Sequence, residues 1–206
     1  MDFILSIVAL VIVITIHEFS HAWTANFFGD PTAKLAGRVS LNPLKHLDPM
    51  GTIMMFLIRM GWGKPVPVNP YYFKKPKRDE ALTALAGPLS NLILAIVIAV
   101  PYKYWGYSMV PVIRDFLGIL LDVSLLLFLF NMLPFPPLDG SKFVQLLIPK
   151  RFERTYENYL RNGMVYFIIF LLFDQFLLAR YTGFSFLGQI MGTAFTFLKS
   201  AVFLGT

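Results

Sequence analysis

The sequence contains no cysteine, so disulfide bonds and thiolate metal sites are both excluded. Histidine is scarce as well, with only three in 206 residues. Charged residues make up 15% of the chain, whereas 56% of it is hydrophobic and 16% aromatic, and the apolar residues form long blocks. This composition is typical of a protein that crosses a membrane several times. Any bound metal must use histidine, aspartate or glutamate as ligands.

The apolar blocks predict an all-α, multi-pass membrane helix bundle with about 4–6 membrane segments, forming one domain over residues 1–206. We expect spans at residues 3–28, 81–101, 112–133 and 163–179, with a fifth span or a re-entrant piece at 183–205. The first span is longer than a signal peptide, so we interpret it as a retained helix. Residues 50–60 are apolar but too short to span, which favours a re-entrant or interfacial element. Residues 141–162 are amphipathic and are expected to lie on the surface.

Two short stretches between the first and second spans have a different character. Residues 37–43 and 64–70 both end in Asn-Pro and contain β-branched residues. Each predicts a brief extended segment, and together they predict a small β-ribbon. The prolines in the second stretch limit it to an edge strand or exclude it from a sheet altogether.

Basic residues flank the apolar blocks and do not form a patch suited to nucleic acid. With the N-terminus outside, 14 of the 18 lysines and arginines fall in the loops at 29–80 and 140–162. The positive-inside rule then places those loops in the cytoplasm. We therefore expect a multi-pass cell-membrane protein embedded in the lipid bilayer, with its N-terminus outside and no nucleic-acid partner.

The first predicted span carries two histidines and a glutamate in the pattern HEFSH at residues 17–21. His17 and His21 are four residues apart, so on a helix they share one face and both reach a single Zn²⁺. Glu18 is placed to hold a metal-bound water. Because ionisable side chains at bilayer depth are costly, this setting favours a zinc site over a chance match.

A catalytic zinc usually takes three protein ligands and keeps a fourth position open for water. Depth in the membrane favours Asp139, because the third span ends on the same side as His21 and is followed by a proline-rich segment that can turn back. Chemistry alone explains Asp139 equally well as a turn residue. The remaining candidates for a third ligand are His46, Asp48, Asp122 and Asp174.

Four motifs together resemble the site-2 protease family of intramembrane zinc metalloproteases. They are HEFSH at 17–21, NPLKHLDPMGT at 42–52, AGPLSN at 86–91 and NMLPFPPLDG at 131–140. The resemblance implies one Zn²⁺ per chain, held by His17, His21 and Asp139, with Glu18 as the catalytic base and the site nearer the cytoplasmic face. It also implies that Asn91 lies near the active site and contacts the substrate or the oxyanion. The chain resembles the minimal form of the family, without a PDZ or CBS domain.

The resemblance implies regulated intramembrane proteolysis, in which peptide bonds within or near transmembrane segments of membrane-protein substrates are hydrolysed. A helical substrate hides its peptide bonds, so we expect an edge strand at 37–42 or 64–69 to bind an unwound segment by β-augmentation. Two alternatives are a membrane metal-ion transporter and a catalytically silent, protease-like binding protein. The glutamate between the two histidines argues against both, since neither function needs a base there.

Overall fold

The computed structural model describes residues 2–58 and 63–204, and within these ranges the chain is predominantly helical. The helices are, in chain order, α1 (Asp2–Phe27), α2 (Thr32–Leu35), α3 (Pro49–Ile58), α4 (Pro76–Trp105), α5 (Pro111–Asn131), α6 (Asp139–Leu147), α7 (Glu153–Leu172), α8 (Arg180–Thr182) and α9 (Phe186–Leu204). A π-helical segment, Phe173–Ala179, joins α7 to α8. The predicted all-α helix bundle is confirmed.

The centre of the bundle is formed by α1, α4 and α5, and α9 packs against α4 and α5. Their contact consists of small and branched apolar side chains. Its buried members are Ala9, Val13, Ala95, Ile98, Ala99, Leu120, Leu121, Leu125 and Val202. Small residues at such a contact let helix backbones approach closely, which is how helices associate in lipid. The packing fixes the C-terminal half of α1 beside the N-terminal half of α4.

Four helical stretches of the described residues are long and apolar enough to cross a membrane. They are Phe3–Phe27, Pro76–Ser108, Lys150–Thr182 and Phe186–Leu204. Helix α5, the third predicted span, has the length at 21 residues but carries Arg114, Asp115 and Asp122. Arg114 and Asp115 are exposed near the start of α5, where charged side chains can reach the membrane surface, and Asp122 is half-buried and paired with Lys199 of α9.

Several boundaries differ from the predicted ones. Helix α7 begins at Glu153 and not at residue 163, because the polar residues before the apolar run are themselves helix formers. The segment 141–162 is therefore divided between α6 and the first half of α7. The apolar segment 50–60 forms α3, which has 10 residues and a length of about 15 Å, too short to span. Residues 59 and 60 of that segment, and residue 205 of the predicted tail, lie outside the described residues.

The predicted β-ribbon is not formed within the described ranges, which contain no strand and a single isolated antiparallel bridge between Leu47 and Gly63. Two prolines explain why residues 64–70 do not pair along their length, since Pro65 and Pro67 have no amide hydrogen to donate. The carbonyl groups at the start of this segment are instead bonded by the side chain of Arg38.

Candidate metal centre

The two histidines of the HEFSH motif face each other across one turn of α1. Their Nε2 atoms lie 3.0 Å apart, and the ring planes are nearly perpendicular, at 88°. Both residues are buried, with His17 6% and His21 8% exposed. The i, i+4 spacing on a helix therefore brings two ring nitrogens to one point beneath the protein surface, as predicted.

Asp139 completes the cluster from the opposite side. It is the first residue of α6, and its Oδ2 lies 3.2 Å from the Nε2 atoms of both His17 and His21. The start of α6 packs directly on the end of α5, where a side chain at Gly140 would place its Cβ 2.3 Å from the carbonyl oxygen of Met132. The proline-rich turn thus returns the chain from α5 to the level of the histidines.

The three ligand atoms fit a zinc ion. They lie within 4.8 Å of one another, and their closest separations are 3.0–3.2 Å. Tetrahedral zinc with bonds of about 2.0–2.1 Å separates its ligand atoms by about 3.3 Å. Burial opposes ionisation of Asp139, but the neighbouring imidazoles, where they carry a proton, outweigh it and hold the pKa of this carboxyl below its usual range. A bound cation would replace those protons and would also favour the carboxylate, so Asp139 can serve as an anionic ligand, and the set leaves a fourth position open.

The orientation of His21 is fixed from behind by α4. Its Nδ1 lies 2.7 Å from the carbonyl oxygen of Thr83, which can only accept a hydrogen bond. When the ring is neutral, as a metal ligand must be, its proton is therefore on Nδ1 and its Nε2 lone pair points into the space between the three ligand atoms. Metal-binding histidines commonly have an outer partner of this kind.

Asn91 of α4 fixes the orientation of His17 in the same way. Its amide nitrogen lies 3.0 Å from His17 Nδ1, while its Oδ1 is buried and has no partner among the described residues. Exchanging the amide nitrogen and oxygen of Asn91, whose assignment follows from the hydrogen-bond network, lets His17 Nδ1 donate to Oδ1. That assignment satisfies the buried oxygen and directs the His17 Nε2 lone pair at the cluster. Asn91 is 0% exposed and does not line the cavity, so contact with substrate or oxyanion stays a prediction.

Replacing Asn91 with alanine is expected to weaken zinc binding by about 10–100-fold, because His17 loses the partner that holds its ring and tautomer. Zinc affinity of the purified protein, measured by competition with a chelator, checks this. Asn162→Ala is the matched control, because that amide lies on an exposed face of α7. Equal zinc affinities for Asn91→Ala and the parent chain would show that Asn91 does not orient His17.

Glu18 lies on the wall of a cavity of about 230 Å³ that also contains the three clustered side chains. Residues 65–68 contribute Pro65, Val66 and Val68 to the same wall. A pair of opposite charges, Glu80 and Lys142, joins α4 to α6 beside the cavity with a separation of 3.2 Å. The site therefore combines three metal-binding side chains, a carboxylate outside the ligand set and an extended backbone segment around one space.

The other candidates for a third ligand are engaged elsewhere. His46 is fully buried, and its Nε2 lies 2.6 Å from the carbonyl oxygen of Ser40. Asp48 accepts a hydrogen bond from the amide of Gly51 and so caps the start of α3. Both residues stabilise the loop between α2 and α3 and neither reaches the cluster.

The two aspartates within the predicted spans form contacts with α9 at the outside of the bundle. Asp122 pairs with Lys199 at 2.6 Å and links α5 to α9. Asp174 accepts hydrogen bonds from the Ser185 hydroxyl and the Phe186 amide at the start of α9. These contacts give both carboxylates a structural role that the sequence analysis did not assign.

Three residues at the site were not singled out by the sequence. Gly87 has no room for a side chain, since a Cβ there would lie 2.3 Å from His21 Nε2. Arg38 approaches Glu18 from the loop after α2, with Nη2 4.0 Å from Glu18 Oε2. Thr83 acts through its backbone carbonyl, which no sequence pattern reveals. Only Gly87 carried a signal, because it lies within the AGPLSN motif.

The chain is similar to one known protein family and to several related proteins. The model of peptidase family M50 matches residues 5–111 and 106–173. The chain is 40% identical over 170 residues to "Putative zinc metalloprotease YwhC" of Bacillus subtilis (strain 168), covering 79% of this chain and 78% of that protein.

Two proteins named "Putative zinc metalloprotease Rip2" are more distant. The one from Mycolicibacterium smegmatis is 34% identical over 146 residues, covering 67% of this chain and 55% of that protein. The one from Mycobacterium tuberculosis (strain H37Rv) is 27% identical over 176 residues, covering 82% of this chain and 67% of that protein. No solved structure matches the chain. On the family match and the similarity to the Bacillus protein, the chain belongs to peptidase family M50, the site-2 protease family.

Proposed function

We propose that this protein is an intramembrane zinc metalloprotease, an endopeptidase that hydrolyses peptide bonds within or near transmembrane segments. The observation that carries the proposal is the convergence of His17 Nε2, His21 Nε2 and Asp139 Oδ2 in a cavity that Glu18 also lines. The names of the related proteins support zinc and proteolysis. The apolar helices around the cavity support a substrate that lies in the membrane.

In the proposed reaction His17, His21 and Asp139 hold one zinc ion. When bound, zinc supplies a Lewis acid that lowers the pKa of a coordinated water and polarises the substrate carbonyl. Glu18 accepts the proton of the attacking water and delivers it to the leaving amine. Because Glu18 is not one of the three clustered ligands, its carboxylate is available for this transfer.

Substrate would lie along the extended segment at residues 64–69. Of the two segments predicted to bind by β-augmentation, this one lines the cavity, whereas residues 37–42 do not. Pro65 and Pro67 cannot donate a hydrogen bond, so the amides available to a peptide belong to Val66 and Val68. Within the described residues, neither of these amides has a backbone partner. An unwound stretch of substrate can therefore pair with this segment beside the metal ligands.

The site lies towards one end of the bundle. His17 is about ten residues, or about 15 Å, from the C-terminal end of α1. The N-terminal turns of α4, the C-terminal end of α5 and the start of α6 reach the same level. The basic loop that precedes α4 is on this side, so the proposed N-out orientation places the site nearer the cytoplasm.

Cleavage in proteoliposomes tests the proposal. The purified protein is expected to cut at least one member of a panel of single-span substrates, to lose this activity with the chelator 1,10-phenanthroline and to regain it on addition of Zn²⁺. The non-chelating 1,7-isomer is the matched control. Cleavage that survives complete removal of metal would refute a zinc protease. Zinc transport into the vesicles without cleavage would favour the transporter, and zinc binding with neither would favour a silent binding protein.

A further inference from the structure

Arg38 is a buried arginine that contacts both the proposed base and the proposed substrate-binding segment. The residue is 3% exposed. Its Nη1 donates to the carbonyl oxygen of Pro65 at 3.1 Å, and its Nη2 donates to the carbonyl oxygen of Lys64. The same Nη2 lies 4.0 Å from Glu18 Oε2. One rigid group therefore connects the extended segment to the catalytic wall of the cavity.

The segment is anchored at both ends and free between them. The Lys64 amide donates to the carbonyl oxygen of His46 at 2.7 Å, next to the carbonyls that Arg38 bonds. The Asn69 amide donates to Asp30 Oδ2 at 2.7 Å, and Asp30 is fully buried. Between these anchors the segment crosses the cavity wall, and the contacts of Arg38 tie its N-terminal end to the side of the cavity that carries Glu18.

The chemistry of the contact suits arginine and not lysine. A guanidinium presents several N–H donors in a fixed plane, and so it bonds two successive carbonyls while facing a carboxylate. An ammonium is a point charge on a flexible stem and cannot hold the three groups in one arrangement. Burial lowers the pKa of the Arg38 guanidinium, and the neighbouring Glu18 carboxylate opposes this. Burying such a charge is costly without partners, and here every partner belongs to the base or to the segment.

We propose that Arg38 is a positioning residue for substrate: it sets the distance between residues 64–68 and Glu18, and so decides which peptide bond of a paired substrate reaches the site. The inference rests on the proposed protease function. It assigns Arg38 no proton transfer and no direct contact with the metal. Its consequence is that Arg38 controls the register of cleavage as well as substrate affinity.

The first test measures the cleavage site. Arg38→Met, Arg38→Lys and the exposed control Arg161→Met are compared with the parent chain on a synthetic single-span peptide that the parent cuts. Arg38→Met is expected to keep its zinc, to raise KM about tenfold or more, and to spread cleavage over neighbouring bonds in the product mass spectrum. Arg38→Lys is expected to have a KM and a spread of cleavage sites between those of the parent chain and Arg38→Met. A single unchanged cleavage site with unchanged KM in Arg38→Met would overturn the proposal; if that variant does not fold, Arg38→Lys is judged by the same criterion.

The second test measures substrate position without cleavage. Because the chain has no cysteine, Val68→Cys in a Glu18→Gln background carries a single thiol. Disulfide formation with peptides that each carry one cysteine, placed at successive positions, should give one preferred partner position. Adding Arg38→Met is expected to spread or shift that preference, and an unchanged preference would contradict the inference. This readout needs no proteolysis, so an error in the proposed function, seen as no cleavage by the parent chain, is distinguished from an error about Arg38.

Discussion

Replacing Glu18 with glutamine is expected to reduce cleavage by about 100-fold or more while the zinc content stays that of the parent chain. Glutamine keeps the size and shape of the side chain but cannot accept the proton of the attacking water. The carboxylate lines the cavity but is not part of the cluster formed by His17, His21 and Asp139, so its loss removes no ligand. Initial cleavage rates in proteoliposomes and metal analysis of the same preparation provide the two measurements.

A glutamate elsewhere in the chain provides the control. Glu157 is exposed on α7, and Glu157→Gln is expected to change neither cleavage nor zinc content. If Glu18→Gln retained the parent rate, Glu18 would not be the base. If it lost both activity and zinc, the carboxylate would be needed for the metal centre itself, and the separation of base from ligands would be wrong.

The sequence predicted the membrane helices and the histidine pair because both depend on local patterns. Long apolar runs report burial in lipid directly. The i, i+4 spacing of His17 and His21 fixes their common face as soon as the segment is helical. Asp139 is 118 residues from His21 along the chain, and chemistry alone left it equal to a turn. Its motif and family resemblance selected it, and the structure places it 3.2 Å from both rings.

The sequence could not predict contacts that depend on the packing of helices and loops. Residues 37–43 and 64–70 looked like partners in a ribbon, yet the partner of the second segment is the side chain of Arg38 and not a neighbouring strand. Asn91 was expected near the active site, and it lies there, but its contact with His17 Nδ1 was not foreseen. In both cases the sequence indicated residues near the site. Their individual contacts could not be predicted, because these depend on how closely α4 and the loop after α2 pack against α1.

The close approach of α4 leads to the second large expected effect, which is at Gly87. Helix propensity alone predicts that alanine in place of a helical glycine stabilises a protein by about 1 kcal/mol. Here a Cβ would lie 2.3 Å from His21 Nε2 and 2.8 Å from His17 Cε1, so either the rings or the helix must move. Pro88 follows directly and is buried, which limits the movement of α4.

We therefore expect Gly87→Ala to weaken zinc binding by about tenfold or more and to abolish most of the cleavage. Overpacking of this kind costs about 1–3 kcal/mol, and the displaced atoms here are the metal ligands themselves. Gly192→Ala is the matched control, because Gly192 also lies within a helix and a Cβ there meets nothing within 4 Å. Zinc affinity and cleavage rate are measured for both variants.

Comparing Gly87→Ala with Gly192→Ala distinguishes a steric clash in the folded protein from a change in backbone conformational freedom. Both substitutions add one methyl group to a helix and reduce the freedom of the unfolded chain equally, so helix propensity predicts the same gain for both. Only at Gly87 does the methyl group enter the volume of His21 and His17. Loss of zinc in Gly87→Ala together with parent behaviour in Gly192→Ala would show that the site requires α4 to approach α1 without a side chain. Parent affinity and rate in Gly87→Ala would mean that the two helices are farther apart in the membrane than in this structure.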